Sequence, residues 1–218
     1  MRRGEPLDFI DYIREHPEQF RELLFQHVQL VGLSVFIAIL IAIPLAVLTT
    51  RVAWLERPMT WIANIGQTVP SLAVLGLTLP LLGIGFLPSL FALTIKAILP
   101  IFLNTFIGIR GVDRATLDAA RGMGTSDRQL LRLVELPLAS PVMFAGIQTA
   151  TVQNIGLASL AAYIGGGGFG DWILQGLAMV SPPILLAGAV PVAIMAMGTE
   201  MILRGLRRVI VPAGLAVT

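Results

Sequence analysis

Five long apolar stretches constrain this chain more than any other feature of it. They run over about 23–48, 59–82, 87–109, 141–164 and 183–206. A helix needs about 20 mostly apolar residues to cross the hydrocarbon core of a bilayer. Inside that core the backbone N–H and C=O groups must find partners within the protein, which leaves helices or closed barrels. Runs of this length predict helices, so the chain reads as an all-α membrane protein with about five transmembrane helices. The composition agrees. Charged residues make up 13% of the chain and hydrophobic ones 56%, whereas a soluble domain carries about 25% charged residues. The mean hydropathy is +0.83.

The arginines set an orientation. Arg51 and Arg57 follow the first stretch, and Arg110, Arg114, Arg121, Arg128 and Arg132 follow the third. Arg204, Arg207 and Arg208 follow the fifth, while the other two loops carry no Lys or Arg. With five spans those three basic regions share one side. The positive-inside rule makes that side the cytoplasm, which puts the C-terminus inside and the N-terminus outside. Residues 1–22 form a polar lead-in with four Arg against six acids. Leu7, Ile10, Ile13 and Phe20 within it, with Leu24 just after, fall near helical spacing, so a short surface helix is expected. No cleavable signal is evident. Residues 23–218 then form one membrane domain.

Several functions are disfavoured. With no cysteine, thiolate metal sites and disulfides are excluded. His16 and His27 are too few for a multi-histidine metal site. The pI near 9.7 reflects dispersed loop arginines rather than a nucleic-acid surface. No paired acids, histidine cluster or nucleophile–base pair lies at membrane depth, so membrane-enzyme chemistry has no candidate residues. Gly165–Gly170 formally contains GxGxxG, but it follows an apolar span with no βαβ unit around it, and no GK[ST] phosphate loop exists.

The one polar, Arg-rich segment in the interior is the loop 110–137. It reads Asp118-Ala119-Ala120, three residues, Gly124, nine residues, Val134, one residue, Leu136-Pro137. A short helix over Thr116–Met123 is expected, ended by Gly122 and Gly124. A second, capped by Ser126 or Asp127, is expected to end near Leu136, because Pro137 disfavours helix in the residue before it. Ala119 and Ala120 would let another surface approach the first helix closely. Arg121, Arg128 and Arg132 offer planar donors to acidic partners. Physics alone also allows a basic loop that merely satisfies the positive-inside rule.

This loop resembles the cytoplasmic docking loop of bacterial ABC-importer permeases, with Asp118 for the usual Glu and Val134 for the usual Ile. From about residue 23 to 177 the chain is similar to permeases of osmoprotectant importers. Further matching phrases are Gly66-Gln67-Thr68-Val69-Pro70-Ser71, Leu82–Phe86, Leu99-Pro100, Asn104-Thr105, Gly111–Asp113, Asn154–Gly156 and Gly165–Gly170. The resemblance implies a type I importer fold with a cytoplasmic coupling helix, in the bacterial inner membrane. It implies a transporter of two permease subunits, the same or related, two ATP-binding cassette subunits and an external solute-binding protein. ATP and Mg would sit on the ATPase, with no cofactor on this chain. Asp118, Ala119, Ala120, Arg121, Gly124, Leu136 and Pro137 would dock the ATPase. The solute would be of the glycine betaine, carnitine or choline type; a polar amino acid or a thione betaine is the alternative. Lys96, Leu103 and Gln153 depart from the family's pattern and bear on the solute.

Polar residues inside the spans are the candidates for a translocation path. Gln67, Thr68 and Ser71 cluster around Pro70, which frees a backbone carbonyl. Lys96 is the only lysine and falls mid-span, where a charge costs about 2.5 kcal/mol or more. It must line a wet cavity, snorkel, or bind carbonyls. As a path residue it would favour a solute carrying a carboxylate. Gln153 and Asn154 lie about 100° apart on a helix and cannot both face one cavity. Interhelical hydrogen bonding is an equal reading for each residue singly. Pro44 and Pro100 read as kinks. Gly165, Gly168 and Gly170, on the outer side, suit an external gate, a binding-protein contact or a tight re-entrant turn. Tyr163 and Trp172 read as membrane-interface anchors.

Overall fold

The computed structural model describes residues 8–210, with side chains from Phe9 to Arg207. Leu7, the rest of 1–7, the side chain of Arg208 and the tail after 210 lie outside the described residues. Within them the helices are α1 (Asp8–Glu15), α2 (Pro17–Arg51), α3 (Ala53–Thr68), α4 (Ser71–Leu82), α5 (Phe86–Arg110) and α6 (Arg114–Gly122). Then come α7 (Asp127–Leu130), a π turn (Leu131–Glu135), α8 (Leu136–Ala158), a 3-10 turn (Ser159–Ile164), α9 (Gly170–Ala178) and α10 (Pro182–Ile210).

Helices α2, α5 and α8 form the centre of the bundle. Small residues allow it: Ala38, Ala42 and Ala46 repeat every fourth residue of α2 and are fully buried, alongside Ala97 and Ile101 of α5 and Ala150 and Ala158 of α8. Between membrane helices, association rests on close packing rather than on a solvent-driven hydrophobic effect. A Cβ at Gly146 of α8 would stand 2.6 Å from the Cβ of Asn104 and 2.9 Å from the Pro100 carbonyl oxygen, so α5 and α8 meet at that glycine. Phe36, Leu40 and Leu48 of α2 stay more than half exposed on the opposite face, as expected of a lipid-facing surface.

The second apolar stretch is not one straight helix. Residues 59–82 fall on α3 and α4, which meet at 102°. Pro70 is the cause. It pushes the preceding residue out of the helical region, and Val69 is extended at φ −64°, ψ 126°. The broken pair nonetheless runs from one end of the bundle to the other. Near its start Glu56 pairs with Arg110 at the end of α5, and just after it the Gly85 N–H donates to the Ile164 carbonyl at 2.7 Å. Counting the pair as one span gives five crossings, as the sequence predicts.

A second correction concerns Pro137. The docking segment's second helix does not stop at Leu136 but continues into the fourth span, as one element over Asp127–Ile164. The π turn makes this possible. The Leu136 N–H bonds to the Leu131 carbonyl, five residues back, and Pro137 then falls in the first turn of α8. The wider turn interrupts the four-residue ladder at this point, so a residue without an N–H enters the helix without breaking it.

The lead-in is also more structured than a free surface helix. Phe9, Tyr12 and Ile13 of α1, with Phe20 and Leu24, pack on a core of Leu23, Phe169, Trp172, Ile184 and Ala187. Ile10 stays exposed.

Candidate functional site

The docking segment divides into an exposed and an anchored part. Asp113 caps α6 by accepting from the Thr116 N–H at 3.2 Å. The chain then reverses at Gly124, whose φ of +84° favours glycine. The Gly124 N–H donates to the Arg121 carbonyl at 2.9 Å, and the Thr125 hydroxyl to that of Ala120 at 2.7 Å. Gln129 closes the next helix start by accepting from the Ser126 N–H at 2.9 Å. Asp118, Ala119, Arg121 and Gly124 are exposed, and Ala120 is buried. Leu136 and Pro137 lie half-buried at the foot of α8 rather than on this surface.

Two ion pairs fasten the segment to the bundle. Glu135, its side chain only 4% exposed, pairs with Arg51 at the end of α2. Arg110, just before α6, pairs with Glu56 of α3. Breaking a buried pair strands a desolvated charge, at roughly 3–5 kcal/mol. Because Arg51 is 38% exposed, Arg51→Met is expected near the low end, about 3 kcal/mol. Arg51→Met with Glu135→Met should recover most of that loss. Thermal unfolding of the single and double variants in detergent checks both expectations.

The α3–α4 break opens onto a cavity of ≈ 290 Å³ lined by Gln67, Ser71, Lys96, Gln153, Gly156 and Leu157. Lys96 is ten residues beyond Phe86 in a 25-residue helix, so it stands about 15 Å from one end of a rod of about 37 Å. Its ammonium donates to the Val69 carbonyl at 3.0 Å and approaches that of Gly66 at 3.5 Å. In an unbroken helix the Gly66 carbonyl would accept from residue 70, which is proline and has no N–H. Lys96 therefore supplies the donors that the break removes. Among the described residues it forms no ion pair. Glu200 of α10 pairs with Arg204 at 2.6 Å. Glu200 lines a neighbouring cavity of ≈ 400 Å³ with Ala145, Gln148, Thr149, Val152 and Gln153, so the two spaces share Gln153.

Of the path candidates, Gln67, Ser71, Lys96 and Gln153 meet at the first cavity, and Thr68, Pro70 and Asn154 do not line it. Thr68 donates to the Ile65 carbonyl at 2.8 Å, and Pro70 starts α4. Asn154 is buried, and its amide donates to the Ser34 hydroxyl at 2.9 Å and the Leu93 carbonyl at 3.1 Å. It ties α2, α5 and α8 together. Sequence reasoning missed Gly156 and Leu157; their positions three and four residues after Gln153 would have found them.

At the other end of the bundle the glycine run is closely held. Gly165 and Gly168 have φ of +73° and +81°, and the Gly168 N–H donates to the Gln26 Oε1 at 2.9 Å. A Cβ at Gly170 would fall 2.1 Å from the Ser159 carbonyl oxygen. This is the geometry of a tight turn, and it leads into α9, which the sequence did not foretell. Trp172 is not an interface anchor. It is fully buried, with Tyr12 edge-on at 5.2 Å between ring centroids. Tyr163 remains 57% exposed. Buried His27 shares a 3.0 Å hydrogen bond between its Nε2 and the Ile155 carbonyl.

Residues 34–213 match the family described as binding-protein-dependent transport system inner membrane component. The chain is 44% identical over 191 residues to a choline transport system permease protein, OpuBB, of Bacillus subtilis, covering 88% of each chain. It is 42% identical to the glycine betaine/carnitine/choline transport system permease protein OpuCB of the same organism, covering 89% of this chain and 91% of that one. Against the osmoprotectant import permease protein OsmW of Salmonella typhimurium it is 39% identical over 96% of this chain and 100% of that one. The fold resembles that in an inward-facing structure of the MetNI methionine ABC transporter, with a TM-score of 0.73, 22% identity and coverage of 88% and 98%. On the family match and the extent of these likenesses, the chain belongs to the inner-membrane permease components of binding-protein-dependent transport systems.

Proposed function

We propose that this chain is the membrane-spanning permease subunit of an ATP-driven importer of small quaternary-ammonium or zwitterionic osmoprotectants. The observation that carries this reading is its likeness, over almost its whole length, to permeases named for choline, glycine betaine and carnitine. The exposed α6 surface, with Asp118, Ala119 and Arg121 ahead of the Gly124 turn, supports a docking role toward an ATP-binding cassette subunit. Hydrolysis of ATP with Mg belongs to that subunit. A second permease subunit and an external binding protein complete the transporter. The Arg-rich end of the bundle faces the cytoplasm and the Gly165–Gly170 end faces outward. In this reading Gln67, Ser71, Lys96 and Gln153 line the path that opens and closes between the spans.

Co-expression with the ATPase and binding protein, reconstitution into proteoliposomes and uptake of labelled glycine betaine test the function. ATP-dependent uptake competed by carnitine or choline supports it. Competition only by a polar amino acid or a thione betaine replaces the solute and keeps the transporter. Docking is tested separately. The chain has no native cysteine, so a single cysteine at Ala119 reports its neighbour. Ala119→Cys is expected to cross-link to the ATPase subunit with a short bifunctional reagent, and Ala120→Cys, only 4% exposed, is not.

A further inference from the structure

We infer that Lys96 forms a carboxylate-recognising subsite in the membrane cavity, so that this permease passes carboxylated osmoprotectants in preference to choline. The inference rests on the importer reading above and narrows its solute class.

An ammonium has three donors and no acceptor. Two N–H groups of Lys96 are directed at the carbonyls of Val69 and Gly66, leaving one for the cavity that the side chain lines. The other polar side chains around that space, Gln67, Ser71 and Gln153, each carry a hydrogen-bond donor as well as an acceptor. None of the lining residues is an acid, so Lys96 gives the lining a net positive charge at membrane depth. Carbonyl dipoles satisfy its hydrogen bonds but do not neutralise it. A solute carboxylate would supply the missing counter-charge, and Gln67, Ser71 or Gln153 can donate to its second oxygen. Choline carries a positive charge and no carboxylate, and would meet repulsion in the same space. Were Lys96 only a prop for the α3–α4 break, any donor able to reach the two carbonyls would serve and the charge would not matter. The two roles are separable by experiment.

The test uses the whole transporter in proteoliposomes, with the binding protein saturated by each solute in turn. Uptake rates of glycine betaine and of choline are compared as a ratio, which cancels differences in the amount of folded protein. In the wild type the ratio is expected to favour glycine betaine at least tenfold. Lys96→Gln, which retains a donor without the charge, should shrink it at least fivefold. Lys96→Arg should preserve it. A wild-type ratio near one overturns the inference. So does a Lys96→Gln variant whose ratio matches wild type, including one in which both rates fall in parallel, because Lys96 would then only support the helix break. Failure of the importer reading looks different: the wild type takes up neither solute, and the loaded binding protein does not stimulate ATP hydrolysis. That result removes this inference with it.

Discussion

Gly124→Pro is expected to reduce import at least tenfold while leaving the chain inserted and folded. Proline holds φ near −65°, and Gly124 sits at +84°. Its N–H, which proline lacks, donates to the Arg121 carbonyl at 2.9 Å. The substitution must therefore rebuild the reversal after α6 and re-aim Asp118, Ala119 and Arg121. The damage stays local, because nothing lies within 4 Å of a Cβ at this position and the residue is exposed. Gly124→Ala is the control. It meets only the left-handed backbone penalty of about 1–2 kcal/mol, and should retain most of the transport. Uptake normalised to membrane level, measured beside ATP hydrolysis, reads the effect. Undiminished uptake in Gly124→Pro would refute the docking assignment.

Gly170→Ala should have the opposite character and lower the yield of folded protein. The new methyl would sit 2.1 Å from the Ser159 carbonyl oxygen and 2.7 Å from the Cβ of Ala162. The first obstacle is backbone and cannot rotate aside. Overpacking of this kind costs about 1–3 kcal/mol and occasionally more, and a backbone clash places it at or above the upper end. The neighbouring aromatic cluster would be displaced too, because Phe169 and Trp172 flank this glycine on the buried side. Gly32→Ala tests the specificity of the effect. That position has open space around it in the interior of α2, where alanine is the better helix former by about 1 kcal/mol. Monodispersity and thermal unfolding in detergent should separate the two variants. Equal behaviour would show that the turn can yield.

The spans were legible because hydropathy integrates over some 20 residues and a single side chain hardly disturbs it. The helix, glycine turn and second helix start of the 110–137 loop were legible because their signals are local. What escaped depends on which face a residue presents. Trp172 follows a glycine run at a span end, where an interface anchor is the ordinary expectation. Tyr12 of α1 and Phe20 at the start of α2 close over it, beside Ile184 and Ala187 of α10. Asn154 and Gln153 are adjacent and equally polar, yet one knits three helices and the other lines two cavities. Helical phase decides that, and the chemistry of either residue is silent about it. Prolines misled in both directions. Pro70 reads in sequence as a freed carbonyl within one span and in the fold turns the chain by 102°. Pro137 reads in sequence as a stop and is accommodated by a π turn whose five-residue register leaves no mark in composition.

That accommodation has a mechanical consequence. Because the helix passes through Pro137 without a joint, the element Asp127–Ile164 is a rod of 38 residues, on the order of 55 Å long. One end begins just after the exposed α6 surface, and the other meets the Gly165 turn. Such a strut needs no relay of side chains to carry a push across the bilayer. Pivoting by about 10° around its midpoint would swing both ends by about 5 Å in opposite senses. Motion imposed at one face would then arrive at the other as a lever's counter-stroke.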